Sequence, residues 1–252
     1  IRGSWGSVGN DRITNKRFPY LTIMNENANK GWNGSSGVTE QSVGADNLQW
    51  EKAIKLDLGI EGKLFNEQVD FTVDFFRDTR NDIFQQRTMV PDYIGLAEQP
   101  FGNVGSMVSY GADGNISFTQ DIGKDFSFTL RGNFTYTANM VKNWEEAFQK
   151  YSYQERADKP YEYYAGYIAL GLFRDEDDVK FSPDQSGIAG RKVLPGDIKY
   201  KDVNGDGVIN SDDQVPLSYK ANYPRLMYGF GGEVRWKKLT LGFLFKGTGN
   251  VD

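Results

Sequence analysis

Between Phe126 and Met140 the chain alternates without a break. Phe126, Phe128, Leu130, Gly132, Phe134, Tyr136, Ala138 and Met140 hold one parity; Ser127, Thr129, Arg131, Asn133, Thr135, Thr137 and Asn139 hold the other. Successive side chains point to opposite faces of a strand, so this stretch has one apolar and one polar face. Ordinary strands run about 5–6 residues, whereas a strand crossing a bilayer at roughly 45° needs about 9–11. About ten residues at about 3.3 Å each and that tilt climb about 23 Å, close to the apolar band of a membrane-spanning β-barrel. The stretch is long enough to cross.

Several other stretches share the pattern. Ile1 to Val8 alternates weakly and ends at the turn signal Gly9-Asn10-Asp11. Trp50 opens a strand with Ile54, Leu56, Leu58 and Ile60 on one face and Lys55, Asp57 and Glu61 on the other. After a short turn at Phe65-Asn66-Glu67, Val69, Phe71, Val73 and Phe75 alternate with Asp70, Thr72 and Asp74, and the polar pattern continues toward Ile83. Tyr110 to Thr119 alternates down to the turn Gly123-Lys124-Asp125, and Tyr228 to Trp236 and Leu239 to Phe245 flank Lys237-Lys238.

Long connections alternate with short ones. The segment 11–47, rich in Asn, Gly and Ser and carrying Tyr20 and Trp32, is a long loop with a hairpin expected near Phe18 to Met24. Gln85 to Val104 is a second, and after Trp144 comes a connection of about 75 residues, far beyond the usual length in a compact domain. Membrane barrels of bacteria have this asymmetry, short turns at one rim and long loops at the other. Trp50 and Trp144 fall at the long-loop ends and Trp236 at a short-turn end, where interfacial aromatics belong. A soluble β-sandwich or lipocalin-like barrel has the same period, and from pattern alone it stays open beside the membrane reading. A one-residue slip would be costly in a bilayer, because it would put Arg131 or Lys55 on the lipid face at roughly 2–4 kcal/mol near the midplane.

Composition removes several function classes. The 252-residue chain contains no Cys and no His. A disulfide framework, a thiolate nucleophile, a Ser-His-Asp triad and a His-ligated zinc are therefore impossible within it. A net charge of -5 without a basic cluster argues against nucleic acid. No apolar run is long enough for a transmembrane helix. The mean hydropathy of -0.58 does not oppose a barrel, in which half of each strand faces a polar lumen. Nothing at the start resembles a signal peptide, and the expectation is an internal piece of a longer protein.

The sharpest local motif runs from Asp202 to Asp213 (Asp-Val-Asn-Gly-Asp-Gly-Val-Ile-Asn-Ser-Asp-Asp) and matches an EF-hand loop. Oxygen side chains stand at positions 1, 3, 5, 9 and 12, glycine at 6 and an apolar residue at 8. In that pattern Asp202, Asn204 and Asp206 supply oxygens to a hard cation such as Ca2+, Val208 its carbonyl, Asn210 a ligand direct or through water, and Asp213 closes the shell. Position 12 is Asp rather than the usual Glu, and no amphipathic helix flanks the loop. The alternative is a set of Asn-Gly and Asp-Gly turns held by side-chain oxygens without metal. With calcium, the role would be structural pinning, because there is no helix pair to open. In the same connection Tyr151, Tyr153, Tyr161, Tyr163, Tyr164 and Tyr167 crowd together, which suits loop packing more than a ligand platform. Asp175-Glu176-Asp177-Asp178 fits a solvated charge run better than a pair of catalytic carboxylates.

Several stretches together resemble the SusC/RagA family of TonB-dependent outer-membrane transporters. Arg2-Gly3-Ser4-Trp5-Gly6-Ser7-Val8-Gly9-Asn10-Asp11 is similar to the family's "ASWG..GND" strand end, and Leu48-Gln49-Trp50-Glu51-Lys52-Ala53 to its "L.WEKA" strand opening. Phe71 to Arg80 with Asp82-Ile83 resembles its "FTVDYY....TDIL" strand, and Ala169 to Phe173 and Pro195 to Asp213 its long external loop. The resemblance covers essentially the whole chain. It implies an all-β fold, an antiparallel transmembrane β-barrel segment of about seven strands within a barrel of about 22. Residues 1–252 would be part of one barrel domain, with 144–222 an extracellular loop carrying the EF-hand-like loop 202–213. It further implies an outer-membrane location in a Gram-negative bacterium and a SusD-like surface lipoprotein as partner. Energy would come from TonB through an N-terminal part absent here, and the cargo would be oligosaccharide or peptide. No catalytic residue and no organic cofactor are expected. Arg131, Asn133, Asp113 and Asn115 would line the lumen. A calcium-dependent dockerin-like or carbohydrate-binding β module is the alternative; dockerins pair two such loops with helices, and only one loop is present. A carbohydrate-active enzyme using loop carboxylates ranks last.

Overall fold

The computed structural model describes residues 1–12, 14, 18–27, 36–220 and 223–251. Among them are thirteen strands: β1 (Arg2–Asn10), β2 (Ile23–Asn27), β3 (Gly37–Ser42), β4 (Glu51–Leu64), β5 (Val69–Gln86), β6 (Phe101–Ile122), β7 (Phe126–Asn143), β8 (Tyr164–Gly166), β9 (Ala169–Leu172), β10 (Ile198–Tyr200), β11 (Val215–Ser218), β12 (Leu226–Trp236) and β13 (Leu239–Gly249). The chain divides into two compact units: residues 1–147, 156–161 and 223–251, and residues 148–155 with 162–222.

The first unit is a seven-stranded sheet of order β1-β4-β5-β6-β7-β12-β13, antiparallel at every step. Period-two pattern and register agree across it. Phe75 pairs Leu58 on one side and Ala112 on the other, and Phe134 lies between Gly114 and Tyr228. Apolar side chains therefore meet apolar neighbours strand after strand. This face stays open: Leu58, Phe75, Ile116, Leu130, Phe230 and Leu241 are all exposed. A contiguous exposed apolar face of this extent has no place in water and suits hydrocarbon.

Glycine recurs opposite the large residues. A β-carbon at Gly62 would lie 2.9 Å from the Phe71 ring, and one at Gly114 would lie 2.9 Å from the Phe134 ring. The rings fill the space that the missing side chains leave, a device that pins register in membrane and designed sheets.

The strands are longer than the alternation suggested. β5 has 18 residues, β6 has 22 and β7 has 18. Consequently the expected loop Gln85 to Val104 is shorter than its sequence suggested: Gln85 and Gln86 still pair, with Gly102 and Phe101, and only residues 87–100 connect the strands. Periodicity fails there because of a bulge. Asp82 has φ 57° and the register shifts between Arg80 and Ile83, so parity is broken while pairing continues. The early hairpin also sits elsewhere than expected. Phe18 to Leu21 forms a turn, with the Leu21 N–H donating to the Phe18 carbonyl, and the pairing is β2 with β3. Trp32, placed in that loop by sequence, lies outside the described residues.

At the short-turn end the chain reverses in three places. Phe65, Asn66 and Glu67 all have positive φ (54°, 55° and 67°), Gly123 has φ 67° and Lys237 has φ 53°. At the other end Arg156–Tyr161 returns beside β7 beyond the reach of β12. The Val141 N–H donates to the Lys159 carbonyl and the Asp158 N–H to the Val141 carbonyl, both at 2.8 Å.

The second unit is inserted between β7 and β12. It contains two small antiparallel pairs, β8 with β11 and β9 with β10, and two short helices, α1 (Glu176–Lys180) and α2 (Ser186–Ala189). Phe173, Val193 and Ile209 form its apolar centre, and Ile209 is 1% exposed. Gln185 is buried beside them with its amide satisfied: it donates to the Ile198 carbonyl at 2.7 Å and accepts from the Tyr200 N–H at 3.3 Å.

Candidate functional site

Two regions carry the residues singled out from sequence, the Asp202 to Asp213 loop in the second unit and the polar face of the sheet in the first. In the loop, side-chain oxygens accept backbone N–H groups in a regular order. Asp202 accepts from Gly205 at 2.6 Å and Gly207 at 2.8 Å. Asn204 accepts from Asp206 at 2.8 Å, Asp206 from Val208 at 2.9 Å and Asn210 from Asp212 at 2.7 Å. Gly205 and Gly207 have φ 78° and 85°, which L side chains rarely adopt, so the sharp turn needs glycine at both.

Asp213 is the centre of this lattice. It is 0% exposed, accepting on one oxygen from Val203 (2.8 Å) and Asn204 (3.4 Å) and on the other from Asn210 (2.9 Å). With Asn210 it makes a capping box on the 3-10 turn Ser211–Asp213. The three N–H donors also hold the backbone of Val203, Asn204 and Asn210 together, which closes the loop. Val208 bridges Asp184 in a parallel pair, and Ile209 enters the apolar centre. Sequence spacing thus brings Asp202, Asn204, Asp206, Val208, Asn210 and Asp213 into one loop. Among the described residues no three His, Cys, Asp or Glu side chains gather closely enough to hold a metal ion.

The loop is electrostatically tuned by these bonds. Backbone donation from Gly207 holds the Asp202 carboxyl below its ordinary value. Elsewhere in the unit the Lys199 ammonium does the same for Asp178, the Ser186 N–H for Asp184 and the Arg191 guanidinium for Asp197. The run Asp175 to Asp178 is structural: Asp175 caps α1 by accepting from the Asp178 N–H at 2.8 Å, and Asp178 pairs Lys199 at 2.7 Å. Most of the tyrosines pack locally. Tyr151 stacks on Tyr153 with ring centres 5.2 Å apart, Tyr167 meets Tyr200, and the Tyr153 hydroxyl donates to the Asp212 carbonyl at 2.6 Å. Tyr161 belongs to the first unit, against Trp144.

On the polar face, opposite the apolar one, Arg131, Asn133, Asp113 and Asn115 stand together as their parity requires. Asn115 pairs Asn133, Asp113 pairs Thr135 and Ser117 pairs Arg131. Charges toward the β1 side of this face are neutralised in place: Arg2 bridges Glu61 at 3.0 Å and also Asp74, and Lys55 bridges Asp78 at 3.4 Å.

Other residues tie the long-loop end together, and periodicity gave no sign of them. Glu51 is buried, accepting from the Phe84 N–H (3.3 Å) and the Asn10 amide (3.1 Å), and so joins β1, β4 and β5. The Asn103 amide donates to the Asp82 carbonyl at 2.7 Å, across the bulge, and to the Gln49 carbonyl at 2.9 Å. Arg87 grips the nearly buried Glu145 carboxylate through three hydrogen bonds of 3.0–3.1 Å. The available signal was Glu51 itself, an acid at the start of an apolar strand inside the "L.WEKA" motif.

Comparison with known proteins agrees with this geometry. Residues 2–251 match the model of the family "TonB dependent receptor-like, beta-barrel". The chain is 26% identical over 260 residues to TonB-dependent receptor P26 of Formosa agariphila, covering 98% of this chain and 25% of that protein. It is 24% identical over 266 residues to TonB-dependent receptor SusC of Bacteroides thetaiotaomicron, covering 99% and 25%. The chain therefore spans about a quarter of these relatives' length. Among solved structures, the RagAB peptide importer in its open-open state superposes with a TM-score of 0.70 at 21% identity, over 99% of this chain and 26% of that one. The RagAB peptide transporter superposes with a TM-score of 0.62 at 23% identity, over 97% and 26%. The apolar face is thus the lipid face of an outer-membrane barrel wall in a Gram-negative bacterium and the polar face its lumen, and the chain belongs to the TonB-dependent receptor β-barrel family.

Proposed function

We propose that the protein containing this chain imports oligomers, peptide or glycan, across the outer membrane, with a SusD-like surface lipoprotein as partner and TonB as the source of energy. One observation carries the reading: a seven-stranded antiparallel wall with a lipid-compatible face and a polar face, matched over residues 2–251 to the TonB-dependent receptor β-barrel family. The relatives' names, SusC and the RagAB peptide importer, support nutrient uptake as the class. Its chemistry is binding and gating. The test is isolation of the full-length protein from detergent-solubilised outer membranes with the mass of each component measured, followed by uptake of labelled oligomers into cells with and without TonB. Co-purification with a lipoprotein and TonB-dependent uptake are expected. A species that leaves the membrane fraction, or uptake indifferent to TonB, would count against the reading.

Within this reading we propose that Ca2+ pins the Asp202 to Asp213 loop. Support comes from the order of oxygen side chains and from the lone pairs that Asp202, Asn204 and Asp206 retain after accepting their backbone donors. Asp213 is committed to three N–H groups, so it would hold the loop closed while a cation sat on the other three side chains. Calcium should protect this segment from proteolysis, and Asp202→Ala with Asp206→Ala should abolish the protection. Equal cleavage of the unmutated protein in calcium and in chelator would rule the cation out.

A further inference from the structure

Two Asn-Gly pairs occur in the sequence: Asn33-Gly34, outside the described residues, and Asn204-Gly205. Glycine has no side chain to shield its own nitrogen, so in such a pair that nitrogen can attack the asparagine side chain before it. Base takes the glycine N–H proton, the nitrogen bonds to the amide carbon Cγ, ammonia leaves and a cyclic imide forms. Water then opens the imide at either carbonyl. One opening gives aspartate; the other gives isoaspartate, in which the main chain runs through Cβ and Cγ and is longer by a carbon. At residue 205 the turn leaves no alternative to glycine, because φ there is 78°.

The closed loop holds both reactants away from that step. The Gly205 N–H donates to Asp202 Oδ1 at 2.6 Å, and the same carboxylate takes the Gly207 N–H on its other oxygen at 2.8 Å. A carboxylate on the N–H opposes its loss as a proton, since the nitrogen anion would stand against a negative oxygen. Asp206 clamps the Asn204 amide from both ends: the amide oxygen accepts from the Asp206 N–H at 2.8 Å, and Nδ2 donates to Asp206 Oδ2 at 3.0 Å. Imide closure requires the amide to leave Asp206 and the Gly205 nitrogen to leave Asp202. The loop cannot absorb the product either. Upstream, the Lys201 N–H donates to the Ile168 carbonyl at 2.9 Å. Downstream, the Asp184 N–H donates to the Gly207 carbonyl at 3.0 Å and the Ile209 N–H to the Asp184 carbonyl at 2.8 Å, with Ile209 only 1% exposed. An extra main-chain carbon between two fixed ends displaces Gly205 and Gly207 from Asp202, and Val203 and Asn204 from Asp213.

We propose that Asn204-Gly205 is a latent modification site: the closed loop suppresses imide formation, opening releases it, and isoaspartate at 204 then keeps the loop from closing again. A reversible opening thereby becomes permanent. The reaction needs only water, base and this chain's own atoms, whatever the protein carries.

Full-length protein in detergent is held at mildly alkaline pH in chelator, so that hydrogen bonds alone close the loop, and is sampled over time, digested and read by mass spectrometry. Mass separates asparagine from the acids, and fragmentation separates isoaspartate from aspartate. D202A removes the acceptor from the Gly205 N–H, and D213A frees the loop ends. Each should speed loss of Asn204 about tenfold or more, as loss of a charge-assisted hydrogen bond predicts. Asn33 in the same digests is the reference and should convert at one rate in parent and variants. Because a variant can fail to fold, the parent is also followed after unfolding in denaturant, where Asn204 should again convert about tenfold or more faster than in the folded parent. In the aged parent, brief proteolysis should cut chains carrying isoaspartate within 202–213 before those still carrying Asn204. No acceleration in folded variants whose loop is open to protease, or the same rate in folded and unfolded parent, would overturn the protection. Isoaspartate chains as resistant to cleavage as unconverted ones would overturn the lasting opening.

Discussion

Asp213 shows how much one side chain can organise. Replacing it with Ala removes three hydrogen bonds inside a closed loop and leaves the N–H groups of Val203, Asn204 and Asn210 without acceptors. Each buried donor left unmet costs about 1–3 kcal/mol. Asp213→Ala should therefore open residues 202–213 to protease far more than Asp212→Ala does, a difference readable by mass spectrometry of the cleaved loop. Acid should act on the same unit. Asp202, Asp178, Asp184 and Asp197 all have carboxyls held below their ordinary value by donors or cations. A depressed carboxylate contributes stability that is present above its unfolded value, about 3.9, and is lost as pH falls through the lower folded value. Protection from hydrogen exchange in the second unit, relative to the intrinsic rate, should thus fall below about pH 4, and Asp202→Asn should flatten part of that fall. Sequence spacing revealed the loop because oxygens at fixed intervals are a local property. That the last acid is consumed by backbone donors was not legible, since it depends on how the two ends of the loop meet.

Strands were legible wherever parity was intact. From Phe126 to Met140 the alternation passes through without interruption, and β7 spans it entirely. Past Arg80 the positive φ of Asp82 breaks the parity, so Gln85, Gln86 and Phe101 to Val104, which pair as strand, read as loop in the sequence. Closeness between strands was equally hidden. At Gly111 a β-carbon would collide with the Tyr136 carbonyl and the Phe76 ring, whereas at Gly132 the first atom is an Ile116 methyl at 3.4 Å, an ordinary contact. Gly111→Ala should lower the fraction of heat-modifiable, folded barrel and cost about 1–3 kcal/mol from overpacking; Gly132→Ala should fold as the parent does. At the long-loop end, Arg87→Ala should strand the Glu145 carboxylate, which is 8% exposed. A loss of about 1–3 kcal/mol is expected, with Arg87→Lys recovering only part of it because the bidentate grip needs a planar fork.

At the scale of the whole molecule, the two faces of the wall should answer differently to the same charge. Leu130→Arg places a guanidinium on the lipid face near the midplane and should lower stability by about 2–4 kcal/mol. Thr129→Arg, one residue away on the lumen face, should change it by about 0.5 kcal/mol or less. Urea titration of the full-length barrel in bilayers measures both. The lengths of the connections carry a different consequence. Turns of a few residues at Phe65–Glu67, Gly123–Asp125 and Lys237–Lys238 lie at one rim, and the strand ends Gln86, Phe101, Asn143 and Leu226, from which the long connections leave and return, lie toward the other. Membrane barrels keep the short rim toward the periplasm. That orientation would make the long connections the part of this chain that an immune system or a phage meets. An epitope inserted at Gly95 should be stained by antibody on unbroken cells, and the same epitope at Lys124 only after the outer membrane is breached.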